Sequence, residues 1–557
     1  MKRVLKELLS ASARIEPISR SEESVFEEDY MHLQRYHPAV GAFCAAKPDA
    51  TMPSMWRISE WKSDSLPVCN VTITNGATEI KSARAYVKVT HVLNPIMYLK
   101  GDYYMPDSCH HPFLPVASDT WSETVHKLNS HNNQAYVDVA CAYVVSRFRE
   151  LDLMPHFPLY YGSATGIAKR YKYNISDDFE SYRNCRWFWR GINALDCELK
   201  MDSDDPDIIG LVLNCPYTDE ELAAEDESSC GESVKSEILE AADVAVVDSA
   251  SLHSADDLPD GDAGDGDSSS GTSSGETEEL EPNITLNIPN MPVAFIYQEA
   301  HEGTMDSLLD LEDINGHKHG TKAWEEHWIA WLWQIIAALA FLQRTIGFTH
   351  NDLHTNNIVW RKTEEKYLYY RSSRGTVWRI PTFGKIFSII DYGRAIFHIG
   401  NMRWLSDNFE SCEDADGQYN FGPIYDKSMP KVVPNYSFDL CRLAISVLDG
   451  AYPDKYPKSI ADTSISSVIS CDNDGWVVHE TKSDLFNLLW SWTVDGSGAS
   501  VYETASGEER YPGFELYVRI AADCRAAVPR DQLARPVFER FIFKERVPKG
   551  KKIYHIV

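Results

Sequence analysis

Thr349-His350-Asn351-Asp352-Leu353-His354-Thr355-Asn356-Asn357-Ile358-Val359 is the stretch on which the reading of this chain turns. His350 to Asn357 fit the pattern H-x-D-L-x-x-x-N, with His350, Asp352, Leu353 and Asn357 at its fixed positions. The spacing has a chemical reason. An Asp can accept the proton of an attacking hydroxyl, and an Asn five residues later can reach a divalent cation, provided the loop turns tightly between them. Asp352 is therefore a candidate base and Asn357 a candidate metal ligand. A short motif acquires meaning from its context, and the flanking sequence supplies some.

Downstream, Ile386–Ile390 reads as a buried strand and runs into Asp391-Tyr392-Gly393. This fits D-F-G with Tyr in place of Phe and makes Asp391 a second candidate metal ligand. The long interval from Asn357 predicts an extended hairpin over Lys366–Phe387. Upstream, Trp328–Leu342 is apolar apart from Gln334, too short for a bilayer span and suited to a buried helix. That helix is expected over Trp324–Gln343, ending at Gly347. Val293–Gln298 reads as a strand with a polar exit at Glu299–Thr304.

Earlier in the chain, Val68–Thr74 and Ala83–Thr90 read as two strands joined through Asn75-Gly76. Tyr86-Val87-Lys88-Val89 alternates as a half-buried strand does. Lys88 is either a phosphate-gripping lysine or a solvent-facing strand residue. No G-x-G-x-x-G precedes it, because Gly76 is the single glycine between Gly41 and Gly101. His91–Ser130 reads as loop. Asn133–Arg149 predicts a helix, with Val137, Cys141, Val144, Val145 and Phe148 on one apolar face. Asp138 on that helix either meets the strand lysine or is a solvated first-turn acid. Leu153–Gly162 reads as a loop entering a strand. In Ser437-Phe438-Asp439-Leu440, Asp439 either braces the loop at Asp352 or simply opens a helix. Further helix is expected over Tyr517–Cys524 and Gln532–Phe543, then a solvated basic stretch, Lys544–Lys552. Lys2–Ala13 has the pattern of a short amphipathic helix.

The 557 residues are 43% hydrophobic, with 15 Trp, 28 Tyr and 21 Phe, enough for a substantial core. The net charge of −30 argues against nucleic-acid binding through the whole surface. Between Asp196 and Glu281 stand 27 acidic and 2 basic residues, so the acidity belongs to one segment. Within it Gly261–Ser274 is almost wholly Gly, Asp, Ser, Ala and Thr, which cannot bury enough apolar surface to order itself. The twelve cysteines form no C-x-x-C pair, which argues against a zinc ribbon. No signal peptide is read at Met1–Ser10. A cytoplasmic or nuclear protein without membrane partners is expected.

Together these residues resemble the eukaryotic-like protein kinase superfamily. More narrowly, the chain looks like the divergent serine/threonine-protein kinases of large DNA viruses of the iridovirus type. The narrower likeness rests on Thr349–Val359 and on Pro381-Thr382-Phe383-Gly384-Lys385-Ile386-Phe387 leading into Ile389-Ile390-Asp391-Tyr392-Gly393-Arg394-Ala395-Ile396. Pro155-His156-Phe157-Pro158 and Glu509-Arg510-Tyr511-Pro512-Gly513-Phe514 add to it. The resemblance covers roughly residues 70–190 and 285–545. It implies an α+β, two-lobed protein-kinase-like fold with a small β-rich lobe, a larger helical lobe and a long disordered acidic insertion. The implied divisions are an N-terminal extension (1–66), a first small-lobe part (67–195), the insertion (196–284), a last small-lobe strand and hinge (285–304) and a large lobe (305–557).

The resemblance further implies ATP and Mg²⁺ as cofactors and a protein substrate carrying Ser or Thr, in a host cell if the chain is viral. Asp352 is then the base, and Asn357 and Asp391 are the Mg²⁺ ligands. Lys88 contacts the phosphates with Asp138 as its partner. The hinge backbone at Glu299 and Ala300 holds the adenine edge, with Tyr297 at the back of the pocket. Three features depart from the pattern. The Gly-rich loop is absent, Asp138 stands for Glu, and no A-P-E follows Gly393, with Val432-Val433-Pro434 standing in part for it. His354 occupies the usual place of Lys and is frequent in small-molecule phosphotransferases of the aminoglycoside and choline type. A pseudokinase scaffold and a small-molecule kinase are the alternatives.

Overall fold

The computed structural model describes every residue except 1–13, 44–48, 63–65, 77–78, 105–112, 116–121, 204–205, 224–282, 420–433, 453–467, 471–475, 479–480, 505–507 and 557. The expected helix at Lys2–Ala13, the Gly261–Ser274 run and Val432-Val433 lie outside the described residues.

The fold is α+β. Its largest sheet is antiparallel and takes strands from most of the first 300 residues. These are β1 (Tyr30–Gln34), β2 (Arg57–Trp61), β3 (Val68–Thr74), β4 (Ile80–His91), β5 (Tyr160–Asn174), β6 (Glu198–Met201) and β7 (Ile284–Glu299). The order is β1-β5-β7-β4-β3-β2, with β6 beside β7. The β3–β4 hairpin forms where β-branched residues alternate and Asn75-Gly76 supplies a turn, Gly76 adopting φ +79°. Across β4 and β7, Lys88 stands opposite Ile296 and Val87 opposite Tyr297. A strand's two-residue period sends these two pairs to opposite faces. Ile296 joins the main core, while Val87 and Tyr297 join a smaller core with Phe26 and Trp61.

Eight helices matter for the site: α1 (Arg20–Phe26), α2 (Pro95–Lys100), α3 (Glu123–Asn129), α4 (Gln134–Glu150), α5 (Arg186–Leu195), α6 (Lys322–Ile346), α7 (Phe438–Ala451) and α8 (Glu515–Asp523). α4 is capped by Asn133, whose side chain accepts the Ala135 N–H at 3.1 Å. It is apolar almost all round and correspondingly buried. α6 begins at the Thr321 cap and stops at Gly347, which takes the left-handed conformation (φ +63°) that ends helices cheaply. Trp324, Trp328, Trp331 and Trp333 of α6 are fully buried. β8 (Gly303–Thr304) precedes α6, and β9 (Ile358–Lys362), β10 (Tyr367–Arg371), β11 (Val377–Pro381), β12 (Lys385–Ile389) and β13 (Ile553–His555) follow it. β8, β9 and β12 form one sheet, and β10 and β11 form the expected hairpin between Asn357 and Asp391.

Several expectations need correction. His91–Ser130 contains α2 and α3. Asn94-Pro95 and Ser122 provide their caps, side-chain signals that sparse apolar periodicity conceals. The segment from 196 is ordered well past that boundary. β6 pairs with β7, and helices follow at Pro206–Leu213 and Asp219–Ala223. No structural break falls at residue 66, because β1 and β2 belong to the same sheet as β3 and β4. Gln532–Phe543 is broken at Pro536, leaving Pro529–Gln532 and a 3-10 turn at Pro536–Phe541. The basic tail leads into β13, which pairs in parallel with β10, and Lys551 meets Glu365 at 2.5 Å.

Gly191 in α5 packs against α2 so closely that an added Cβ would collide with the Leu99 carbonyl oxygen and lie 2.7 Å from Leu99 Cγ. Gly191→Ala is expected to destabilise the chain by about 1–3 kcal/mol, the usual cost of overpacking. Urea unfolding measures this, and an unshifted midpoint would mean that α2 and α5 part freely.

Candidate active site

The loop after α6 is held by buried backbone bonds. Asp439, in the first turn of α7, accepts the His350 N–H at 3.0 and 3.1 Å and the Asn351 N–H at 3.0 Å. It is fully buried. Burial raises its pKa, opposed by His350 and by these two N–H groups. Of the two readings open for Asp439, the geometry is that of a brace. Asn351 takes a left-handed conformation (φ +66°), and its side chain donates to Arg394 O at 2.8 Å and accepts from Tyr419 at 2.7 Å. His350 Nε2 bonds Ile390 O at 2.8 Å. The loop is thus tied to the segment that carries Asp391.

Pairing of β9 with β12 completes that tie. Ile358 stands opposite Ile389, and beyond the paired strands the Ile390 N–H donates to Asn357 O at 3.0 Å. Asn357 and Asp391 are thereby brought side by side. The Asn357 Nδ2 group donates to Asp352 O at 2.9 Å and meets His354 Nε2 at 3.0 Å. Both amide hydrogens are spent, which leaves Oδ1 as the group able to take a cation. His354 is lowered in pKa by burial, against the pull of Asp352, so its ring is neutral and accepts from Asn357.

Lys88 is the centre of the arrangement. Its Nζ lies 2.9 Å from Asp138 Oδ2 and 2.8 Å from Asp391 Oδ1. β4, α4 and the segment after β12 therefore meet at one ammonium group. Of the two readings open for Asp138, the structure has the buried ion pair, with the side chain 3% exposed. The other Asp138 oxygen accepts the Tyr392 N–H at 3.0 Å, so α4 also fixes the residue after Asp391. Asp391 sits at φ +63°, a conformation that Asp tolerates better than most residues. The two carboxyls are driven apart. Burial raises Asp138 more than Lys88 lowers it, whereas Lys88 outweighs burial at Asp391 and holds it down.

Asp352 is 21% exposed. Its Oδ1 accepts the Tyr517 O–H at 2.9 Å and lies 3.5 Å from Arg394 Nη1. Burial acts to raise its pKa, but the guanidinium groups of Arg394 and Arg442 prevail and hold it well below the usual carboxylate range. Lys88, Asp138, Asp352, His354, Asp391 and Arg394 line one end of a cavity of about 630 Å³. Tyr171 and Tyr173 of β5, and Ser176 just beyond it, also line this cavity.

Glu299, Ala300 and Tyr297 are not part of this cavity. The Glu299 N–H donates to Leu159 O at 2.8 Å and the Ala300 N–H to Arg84 O at 3.1 Å. The Glu299 carboxylate is taken by Arg149, with one bond of 3.0 Å. The backbone donors expected to hold an adenine edge are therefore bonded within the protein. Tyr297 lies on the sheet face opposite Lys88 and donates to Glu22 at 3.0 Å. Pro67, just before β3, accepts the Val87 N–H through its carbonyl oxygen at 2.8 Å. Arg394, Arg442 and Tyr517 were not among the residues expected here. Arg394 directly follows D-Y-G, but no spacing marks Tyr517, which lies 165 positions from Asp352.

Set against protein-family models and against curated proteins, the sequence matches none.

Proposed function

We propose that this chain is an ATP- and Mg²⁺-dependent phosphotransferase with a two-lobed, protein-kinase-like fold, and that it phosphorylates Ser or Thr of a protein substrate. The sheet with α4 serves as the small lobe, and the body around α6 and α7 as the larger one. The observation that carries the reading is the Lys88 ammonium between Asp138 and Asp391, on the same cavity wall as Asp352.

The donor set suits the cofactor. Asn357 Oδ1 and the Asp391 carboxylate offer two oxygen ligands. Among the described residues no group of three or more His, Cys, Asp or Glu could hold a metal by itself. A Mg²⁺ that takes its other ligands from water and phosphates needs no more than this. Bound Mg²⁺–ATP supplies the phosphoryl group and offsets its charge. Lys88, held between Asp138 and Asp391, would bring its positive charge to the phosphate oxygens. Asp352 stays ionised and turns Oδ2 to the acceptor hydroxyl, whose proton it takes. Asp439 and α7 hold the loop so that these groups do not reorganise during transfer.

A small-molecule acceptor is the second reading. The size of the cavity favours it, since about 630 Å³ is within the range of small-ligand sites. Labelled ATP, Mg²⁺ and either a generic protein or a panel of small alcohols separate the two. Transfer to protein is expected, with Asp352→Asn reducing it by about 10³-fold or more, since a missing base removes a large part of the barrier lowering. No transfer from the wild-type chain, or equal transfer from Asp352→Asn, would sink the enzyme reading. Stabilisation by Mg²⁺–ATP without transfer would leave a nucleotide-binding scaffold.

A further inference from the structure

We infer that Tyr517, backed by Arg442, is a positioning residue that clamps one oxygen of Asp352 so that the other faces the acceptor. The inference rests on the reading of Asp352 as the base.

The direction of each hydrogen bond is fixed by chemistry. Arg442 Nε–H is a donor only, and it reaches the Tyr517 hydroxyl oxygen at 3.0 Å. The ionised Asp352 carboxylate is an acceptor only, and the same hydroxyl lies 2.9 Å from its Oδ1. The phenol therefore accepts from Arg442 and donates to Asp352. Its ring has little freedom to turn away. Tyr517 is 2% exposed, stacks on Phe514 with ring centroids 5.3 Å apart, and packs against Phe438 at 6.0 Å. Arg394 and Arg442 lie over the ring at 5.7 and 5.3 Å.

Both supports come from the same pair of helices. α7 supplies Asp439 to the loop backbone and Arg442 to the Tyr517 hydroxyl, and α8 supplies Tyr517 itself. His354, two residues beyond Asp352, is turned to Asn357 and takes no part in holding the carboxylate. Arg394 supplies charge at 3.5 Å, and the shorter, directional contact is the phenol. A carboxylate held at Oδ1 cannot rotate to exchange its two oxygens. A reacting group displaced by a fraction of an ångström loses much of its effectiveness.

The test is steady-state phosphotransfer by the full chain carrying Tyr517→Phe, which removes the hydroxyl and keeps the ring. The kcat is expected to fall about 10–100-fold, as for a lost hydrogen bond to a charged group. The KM for ATP should stay within about twofold, since ground-state binding is untouched. The melting temperature should stay within about 4 °C. Arg442→Gln, which retains the phenol, should lower kcat less, again with KM for ATP unchanged. It serves as the test if Tyr517→Phe does not fold. A kcat within about twofold of wild type in the variant tested, or a loss that appears in KM for ATP, would overturn the inference and leave the phosphotransferase reading standing. Absence of transfer by the wild-type chain would overturn both.

Discussion

Lys88→Met is expected to lower phosphotransfer by about 10²–10³-fold, the size of effect seen when one preorganised electrostatic donor is removed from a reacting centre. The same change should cost about 3–5 kcal/mol of stability, because it strips the counter-charge from buried acids. The Lys88, Asp138 and Asp391 side chains are 13%, 3% and 24% exposed. Methionine fills the volume of the lysine stem but leaves two carboxyls facing each other. The deficit should depend on pH. In the wild-type chain Asp391 is held below its ordinary value of 3.8. Its stabilising contribution is therefore complete above that value and is lost as pH falls through the folded pKa. Asp138 is already raised by burial and rises further without Lys88. A raised carboxyl favours the folded state at low pH, and that advantage is lost as pH climbs through its folded value. The variant should thus be least impaired near pH 4–5 and most impaired near pH 8. Denaturant titrations at both ends check this, and an equal deficit at the two would mean that the carboxyls are not coupled through Lys88.

Asp439→Ala should produce the largest loss of stability of any single change at the loop. Two backbone N–H groups, those of His350 and Asn351, would be left buried without a partner. Each such group costs about 1–3 kcal/mol, so about 2–6 kcal/mol is at stake. A domain's whole stability is about 5–15 kcal/mol. Urea unfolding of the full chain is the measurement. A loss under about 1 kcal/mol would show that the two amides find water or another acceptor. Asp439→Asn keeps one acceptor oxygen and should fall between wild type and Asp439→Ala.

The parts of the site that could be read in the sequence are those whose geometry is local. Asp352 and Asn357 share one loop. Asp391 follows a buried strand, and Lys88 interrupts an alternating one. In each case a short pattern carries its own chemistry. Tyr297 shows where this stops. The strand was correctly expected, but its phase against β4 places Val87, not Lys88, opposite Tyr297. Register is a property of two strands and cannot be taken from either alone. Glu299 ends β7 and Ala300 follows it, and their N–H groups bond Leu159 and Arg84, partners that lie far away along the chain. β6 was hidden because Glu198-Leu199-Lys200-Met201 lies at the start of the acidic segment, whose composition outweighs a four-residue alternation. α2 and α3 were missed for a related reason, since each has six or seven residues and little room for periodicity.

The contact between Tyr517 and Asp352 also has a consequence in time. During synthesis at about 5–20 residues per second, the 165 positions between them correspond to a delay of about 8–33 s. Through that interval the loop at Asp352, α6 and the β9–β12 pairing can already exist, while the carboxylate still lacks its phenol. A newly made chain would therefore carry an unclamped Asp352 until α8 emerges and docks on α7. Under the proposed function, phosphotransfer by a nascent chain would be restrained by the order in which its own residues appear.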